Sequence, residues 1–356
     1  MNINNIKINK YNIDYQNTKF KDLINENLHL LPNLNKKSIE FDIINSNEAF
    51  ANALRRVFND ELLIKCLTAN IHNLNTDDKY ILPDNIIERI NLISVDQNIN
   101  EDVVFNLSVV NNTNDIVNVY TRDLINKNKN DKNIYFNNNM QICTLKPNKF
   151  LNINNIYINK DFGYNNSLYT LGTFRYNVIN TDFNIPSLNN TITDFNIEFI
   201  NNANIKLDDI VKKIYDTLYF RLKKIQTSIN EYDINSNSNE IHKINNELFI
   251  INNNTMQNTN ILDSENITSV SDNNIFEIHI NNEYHTIGNL ITKYVYLLDN
   301  NIELVNYKLI HPLTHKIIIT IKHSNFKKVI NDSINNIIKD LDIFKSTLIK
   351  FISKKE

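Results

Sequence analysis

Two long apolar stripes constrain this chain more than any other feature. In the first, Leu207, Ile210, Val211, Ile214, Leu218, Leu222, Ile225 and Ile229 recur at nearly heptad spacing. In the second, Phe326, Ile330, Ile334, Ile337, Leu341, Phe344 and Leu348 advance in steps of four and three. Such a stripe predicts a long helix with one face that must be covered along its length. The two stripes are natural partners. Pairing them ties the middle of the chain to its end.

A strand and a shorter helix belong to each stripe. Ser38 to Ile44 alternates, with Ile39, Phe41 and Ile43 facing one way, and reads as a strand. Asn45 followed by Glu48 reads as a helix start. Phe50, Ala53, Leu54, Val57 and Phe58 form the apolar face of that helix, and Ala49, Ala51, Asn52 and Ala53 let another helix approach. Arg55 and Arg56, about 100° apart around the axis, splay to different edges. Spacing alone makes them a solvated basic edge. Near the other end, Phe276 to Ile280 alternates as a strand, Asn281 to Tyr284 turns, and His285-Thr-Ile-Gly-Asn-Leu-Ile291 opens a helix with Thr286 as its cap. Ile287, Leu290, Ile291, Tyr294 and Leu298 share one face.

The stretch between has a β texture. Leu67 to Asn73 is strand-like and precedes a short helix within Tyr80 to Ser94. Val103 to Val110, Ile116 to Tyr120, Ile142 to Asn148 and Phe150 to Asn159 read as strands, with a low-complexity loop at Asn126 to Asn133. Phe195 to Phe199 is a strand leading back to the first stripe. Residues 231–270 are polar apart from Leu248 to Ile251 and read as a linker holding one strand or short helix. With only 3 glycines in 356 residues, Gly163 and Gly172 each mark a positive φ or a close approach.

Composition narrows the function. A hydrophobic fraction of 42 %, with 18 Phe and 16 Tyr, supplies a core, so global disorder is excluded. A net charge of −3 argues against a protein that grips phosphate backbone unaided. Cys66 and Cys143 stand alone, which suits a reducing compartment and excludes a cysteine-built zinc or iron–sulfur site. No signal-like or membrane-length run is present, so an intracellular, soluble protein is expected. The surplus of Asn, Ile and Lys follows AT-rich codons.

Two motif sets then point to one family. Asn52-Ala-Leu-Arg-Arg56, a strand, and a second segment matching at Asp84, Ile87, Arg89, Leu92 and Ile93 resemble the larger assembly subunit of multisubunit RNA polymerases. These are the bacterial alpha amino-terminal domain, archaeal D and the third eukaryotic subunit. Glu88 and Asn91 stand where that family has His and Gly. His285-Thr-Ile-Gly288-Asn289-Leu290, then Tyr307 and His311-Pro312-Leu313, resemble the small assembly subunit, archaeal L or the eleventh eukaryotic one. The order matches two subunits that pair with each other.

The resemblance implies an α+β fold. Two alpha-like strand–helix modules would form an intramolecular pseudo-heterodimer, with a mostly β domain inserted in the first. The segments would be an extension at 1–35, the first module at 36–95 and 176–230, the insertion at 96–175, a linker at 231–270 and the second module at 271–356. Phe50, Leu54, Val57, Leu218, Ile225, Leu290, Ile337 and Leu341 would form the pairing core. Asn52, His285, Gly288, Asn289, His311 and Pro312 would shape the motifs. Arg55, Arg56, Asp84 and Arg89 would dock a catalytic subunit.

The implied function is a non-catalytic assembly platform for a DNA-directed RNA polymerase. Its partners would be the two largest subunits and other small ones, with no cofactor and no sequence-specific nucleic-acid binding of its own. Fusion with this codon bias is what the resemblance associates with large DNA viruses, in host cytoplasm and the virion. Other readings are an adaptor of the same fold outside polymerase, and an enzyme with a site near Gly163 to Arg175. His279, His285, His311, His315 and His323 fit no metal-ligand spacing, and Asp77, Asp78 and Asp84 read as a solvated loop.

Overall fold

The computed structural model describes residues 1–11, 36–93, 95–127, 140–163, 171–179, 193–201, 205–231, 242–243, 248–252, 275–298, 302–311 and 314–355. The first sheet runs in the order β1 (Asn2–Tyr11), β2 (Lys36–Ser46), β11 (Thr193–Asn201), β10 (Gly172–Val178). A second contains β12 (His242–Lys243), β13 (Leu248–Asn252), β14 (Ile275–Asn281), β16 (Lys316–Lys322) and β15 (Leu304–Leu309), in that order. A third follows the order β3 (Leu63–Thr68), β9 (Phe150–Phe162), β5 (Val104–Val110), β7 (Leu124–Asn126), with β4 (Leu74–Thr76) also on β9. β6 (Val117–Tyr120) and β8 (Gln141–Leu145) make a separate pair. Every pairing is antiparallel.

Five α-helices complete the described residues: α1 (Glu48–Arg56), α2 (Pro83–Asn91), α3 (Leu207–Glu231), α4 (His285–Leu298) and α5 (Phe326–Lys355). The architecture is mixed α+β. The long helices α3 and α5 pack on each other, and the apolar stripes lie between them. Tyr215 donates to Asp342 Oδ1 (2.8 Å), Gln226 Nε2 to Asn335 Oδ1 (2.9 Å), and Asn331 Nδ2 to Asn230 Oδ1 (2.7 Å). As one partner number rises the other falls, so the helices run antiparallel. The shorter α1 packs on α4, and Phe41 of β2 meets Phe344 of α5 with ring centroids 6.1 Å apart. The first two sheets and these four helices enclose one continuous core.

A second core belongs to the middle of the chain. Phe105, Leu107, Leu145, Leu151, Ile153 and Ile156 build it. Ile86, Ile90 and Ile93, on and just after α2, also lie in it rather than in the first core. β3 passes between the two: Ile64 belongs to one core and Leu67 to the other.

Several local expectations are corrected here. Residues 1–35 do not lie wholly outside the fold, because Asn2–Tyr11 forms a full edge strand on β2 and buries Ile3. Its alternating isoleucines are the reason. The strand expected at Leu67 to Asn73 is Leu63–Thr68, followed by a 3-10 turn at Ile71–Asn73. Within 231–270 the strand expected around Leu248 to Ile251 is present as Leu248–Asn252, and it extends the second sheet by pairing with β14. The capping residue of α1 is Asn47, whose Oδ1 accepts from the Phe50 amide at 3.0 Å. Asn45 instead adopts φ 55° and donates its amide to Asp194.

Neither Gly163 nor Gly172 is needed for a positive φ. A Cβ at Gly172 would sit 1.7 Å from the Ile200 carbonyl oxygen, and one at Gly163 2.9 Å from that of Asn59. Both are close approaches. The left-handed positions go to asparagines, Asn5, Asn45, Asn148, Asn155 and Asn282, with His315, since a short amide side chain tolerates that region. No helix among the described residues is long and apolar enough to cross a membrane.

Candidate functional site

The densest polar cluster lies where α1 meets α4. On α1, Asn52 Oδ1 accepts from both Nε and Nη2 of Arg55, at 3.0 and 2.9 Å, and folds that guanidinium back along its own helix. Arg56 turns the other way. Its Nε donates to Thr286 Oγ1 at 2.8 Å and stands 3.7 Å from Glu61. A π-helical turn, Val57–Glu61, continues α1 and brings Glu61 inside.

Glu61 is the hub. The Thr286 hydroxyl donates to one carboxylate oxygen and Arg221 Nη1 of α3 to the other. Arg221 also grips Glu283 just before α4, through Nη2 and through Nε at 3.1 and 3.2 Å. Thr286 is therefore not the cap of α4. Its hydroxyl is spent on Glu61 and Arg56, because the close approach of the two helices aims it across the seam.

Two guanidiniums thus face two carboxylates. Burial pulls the Arg221 pKa down, but Glu283 and Glu61 outweigh it and hold it above its ordinary value. Burial pushes the Glu283 carboxyl up, and Arg221 works against that. Removing one member of such a set would cost about 3–5 kcal/mol, because the rest stay buried without compensation. A cavity of about 370 Å³ borders the cluster, lined in part by Arg221, Asn282, Glu283, Tyr284 and His315.

The motif of α4 closes around the same point. His285 Nδ1 lies 3.3 Å from the Tyr307 hydroxyl, with the rings 5.8 Å apart at 74°. The Tyr307 ring covers Gly288, where a Cβ would stand 2.5 Å from it. Burial raises the Tyr307 pKa, and Arg56 pulls it back. Asn289 is half-buried, and its carbonyl accepts from Thr292 Oγ1 at 3.2 Å. The carbonyl of His311 accepts from Thr314 N and Oγ1, which makes a turn. Pro312 lies outside the described residues.

Of the remaining expected residues, Phe50, Leu54, Val57, Leu218, Ile225, Leu290, Ile337 and Leu341 are all buried in the first core. Asp84 is exposed in the first turn of α2. Arg89 is exposed too, and its Nη1 donates to the Ile142 carbonyl at 3.2 Å, pinning α2 to the second core. The four expected docking residues are thus divided. Arg55 edges the first core, Asp84 and Arg89 sit on the second, and Arg56 is turned inward.

Among the described residues no group of three or more His, Cys, Asp or Glu is placed to hold a metal. Asp77 accepts from the Phe150 amide, which lowers its pKa, and buried Asp78 accepts from the Tyr80 and Lys146 amides. They are turn-forming carboxylates. The stretch from Gly163 to Arg175 includes residues 164–170, which lie outside the described set.

Glu61, Arg221 and Glu283 are absent from the sequence reading. A usable signal existed: only six of the 37 basic residues are arginine, and Arg221 adjoins the apolar stripe. An arginine kept in a lysine-rich chain is a candidate for bidentate pairing.

Residues 276–347, spanning β14, α4 and most of α5, match the family described as the RNA polymerase Rpb3/Rpb11 dimerisation domain. Over that stretch the chain is similar to a polymerase dimerisation domain. It is also 25 % identical, over 98 % of both chains, to a protein named DNA-directed RNA polymerase RPB3-11 homolog from a Namibian warthog isolate of African swine fever virus. The homolog from a South African tick isolate matches equally. That of a Malawian tick isolate is 29 % identical over 47 % of this chain and 48 % of its own. The likeness to fused large and small assembly subunits of a large DNA virus, read from two motifs, extends over the chain.

Proposed function

We propose that this protein is the assembly subunit of a multisubunit DNA-directed RNA polymerase, with the two halves of the assembly dimer paired in one chain. The observation that carries the reading is the single core formed by β2, α1, β11 and α3 with β14, α4, β16 and α5. Each set is a strand–helix, strand–long-helix unit with an apolar face it cannot cover alone.

The two units correspond position by position. Asn45 corresponds to Asn282, and both hold a positive φ, 55° and 59°. From there Phe50 pairs with Ile287, Asn52 with Asn289 and Leu54 with Ile291 along α1 and α4. Along α3 and α5, Leu207 pairs with Phe326, Leu218 with Ile337, Leu222 with Leu341 and Ile225 with Phe344. All the apolar members of these pairs are buried. This pattern supports the pseudo-heterodimer reading. Covalent linkage raises the effective concentration of one half for the other to the order of millimolar.

The segment from β3 to β9, with its own core, is read as the inserted domain. We read its borders as near residues 63 and 162 rather than 96 and 175, because α2 packs into the second core and β10 belongs to the first sheet. The exposed surface that meets the catalytic subunits is read as the edge with Arg55, Asp84 and Arg89. Arg56 acts instead within the seam. The viral relatives support reading the site of its work as a host cytoplasm, with carriage in virions.

The test is affinity capture of the tagged chain from cells that produce it, with mass spectrometry and a promoter-independent RNA synthesis assay. Recovery of two very large subunits with RNA-synthesising activity is expected. Arg55→Ala should reduce their recovery and leave thermal unfolding unchanged, whereas Arg56→Ala should lower the unfolding midpoint. Capture of the chain alone would overturn the polymerase role.

A further inference from the structure

The correspondence between the halves maps the buried ionic cluster onto a second place in the fold. Glu283 corresponds to Ser46, Thr286 to Ala49, Arg221 to Asp340 and Glu61 to Leu298. Two cavities report the same relation. One of about 370 Å³ is lined by Thr217, Arg221, Asn282 and Glu283, and one of about 250 Å³ by their counterparts Asn336, Asp340, Asn45 and Ser46. The molecule therefore has two equivalent joints between its halves, and their chemistry is opposite.

At the first joint, Arg221 from the first half grips Glu283 from the second, while Glu61 meets Thr286. At the second, no guanidinium is present. Asp340 accepts from the Tyr294 hydroxyl of its own half at 2.6 Å and lies 3.7 Å from the Met1 ammonium of the first. Ser46 Oγ from the first half is buried there without a hydrogen-bond partner among the described residues.

The asymmetry discriminates among pairings. Two copies of the first half would set Arg221 against Ser46 and Glu61 against Ala49, and would lose both the bidentate grip and the threonine bond. Two copies of the second would set Asp340 against Glu283, two carboxylates at one joint without the Arg221 guanidinium. Only first-with-second brings the charges into balance. Buried polar groups of this kind specify a partner by making the wrong one costly, more than by strengthening the right one.

We propose that the Arg221–Glu283 joint, with Glu61 and Thr286, is a pairing code that makes each half select the other over a copy of itself. It rests on the paired-halves reading above. Arg221 and Glu283 are positioning residues of the platform, and each acts through its partner.

The test uses full-length chains. Arg221→Glu and Glu283→Arg should each lower the thermal midpoint by roughly 10 °C. Combined in one chain, the two changes should recover more than half of that loss. Partner choice is read by mixing the two single variants, refolding, and measuring mass by light scattering. Exchange of halves restores an opposite-charge pair at each first joint. The mixture should therefore yield a 1:1 complex that neither variant forms alone. A double variant that loses the sum of the two single losses, or a mixture with no 1:1 complex, would overturn the code.

A separate control isolates the underlying reading. Cysteines at Gln226 and Asn335, whose side chains touch at 2.9 Å, should be joined by a short bis-maleimide in the otherwise unaltered chain. If they cross-link and the charge swap fails, the code falls and the paired halves stand. If they do not cross-link, the paired-halves reading falls, and the code with it.

Discussion

The two cores of this molecule are built by opposite strategies. The first is assembled from pieces far apart in sequence: residue 3 reaches it from one end and residue 352 from the other. The second is drawn from one stretch, Leu67 to Ile158. A core shared between two halves has no meaning for either half alone, whereas a contiguous core can in principle open and close by itself. The difference separates the proposed pairing function from the surface of the proposed inserted domain. It also predicts that damage to the first core spreads through both ends of the chain, while damage to the second stays within it.

The most severe break is Leu218→Asp. It puts a carboxylate into the α3–α5 seam, and a loss of about 5 kcal/mol or more is expected. Hydrogen exchange should show loss of protection in the first core from both halves. The second core has a built-in reporter in Cys143, whose thiol burial pushes up to about 11 and which is therefore unreactive at neutral pH. If the cores are independent, Cys143 stays protected from thiol reagents in this variant. Its exposure would mean that they unfold as one.

Ile156→Ala asks the converse question. It removes a fully buried side chain of β9 and should cost about 2–5 kcal/mol. Cys143 should then react while α3 and α5 keep their exchange protection. Gly288→Ala is milder, about 1–3 kcal/mol, because the Tyr307 ring must shift to admit the methyl group. It should loosen the seam, visible as faster exchange in α1 and α4, and leave the second core untouched.

The smallest effect is a pH dependence confined to the shared core. Burial in β14 holds His279 below its ordinary 6.5, partly offset by its bond to Glu277. The unfolded chain binds the proton first as pH falls. The contribution to stability is thus complete above about 6.5 and is lost as pH drops from there through the folded value. His279→Gln should flatten that slope in unfolding measured from pH 7.5 to 5, without altering exchange in the second core.

Periodicity carried the helices and most of the strands. A face repeated at 3.6 or 2 residues must be buried somewhere, and the stripes on α3 and α5 announced their partner by matching length. The close approaches at Gly163 and Gly172 were legible too, because glycine is so scarce here. Asn45 and Asn47 show where this ends. Both are capping residue types one turn before the same helix, and only the backbone decides that Asn45 is left-handed and Asn47 accepts from Phe50.

The sequence by itself therefore determined which faces needed partners and, through two short motifs, which family those faces resemble. The tertiary structure alone decided where the polar groups between those faces point. Arg55 and Arg56 are adjacent and chemically identical, yet one lies back along its helix and the other reaches Thr286, 230 residues away. Glu61, Arg221 and Glu283 come from a π-turn, a long helix and a loop, with no shared periodicity. Apolar burial follows from spacing along one element, and so can be read locally. A buried charge is stable only beside its counter-charge, and that neighbour is chosen by how distant elements cross.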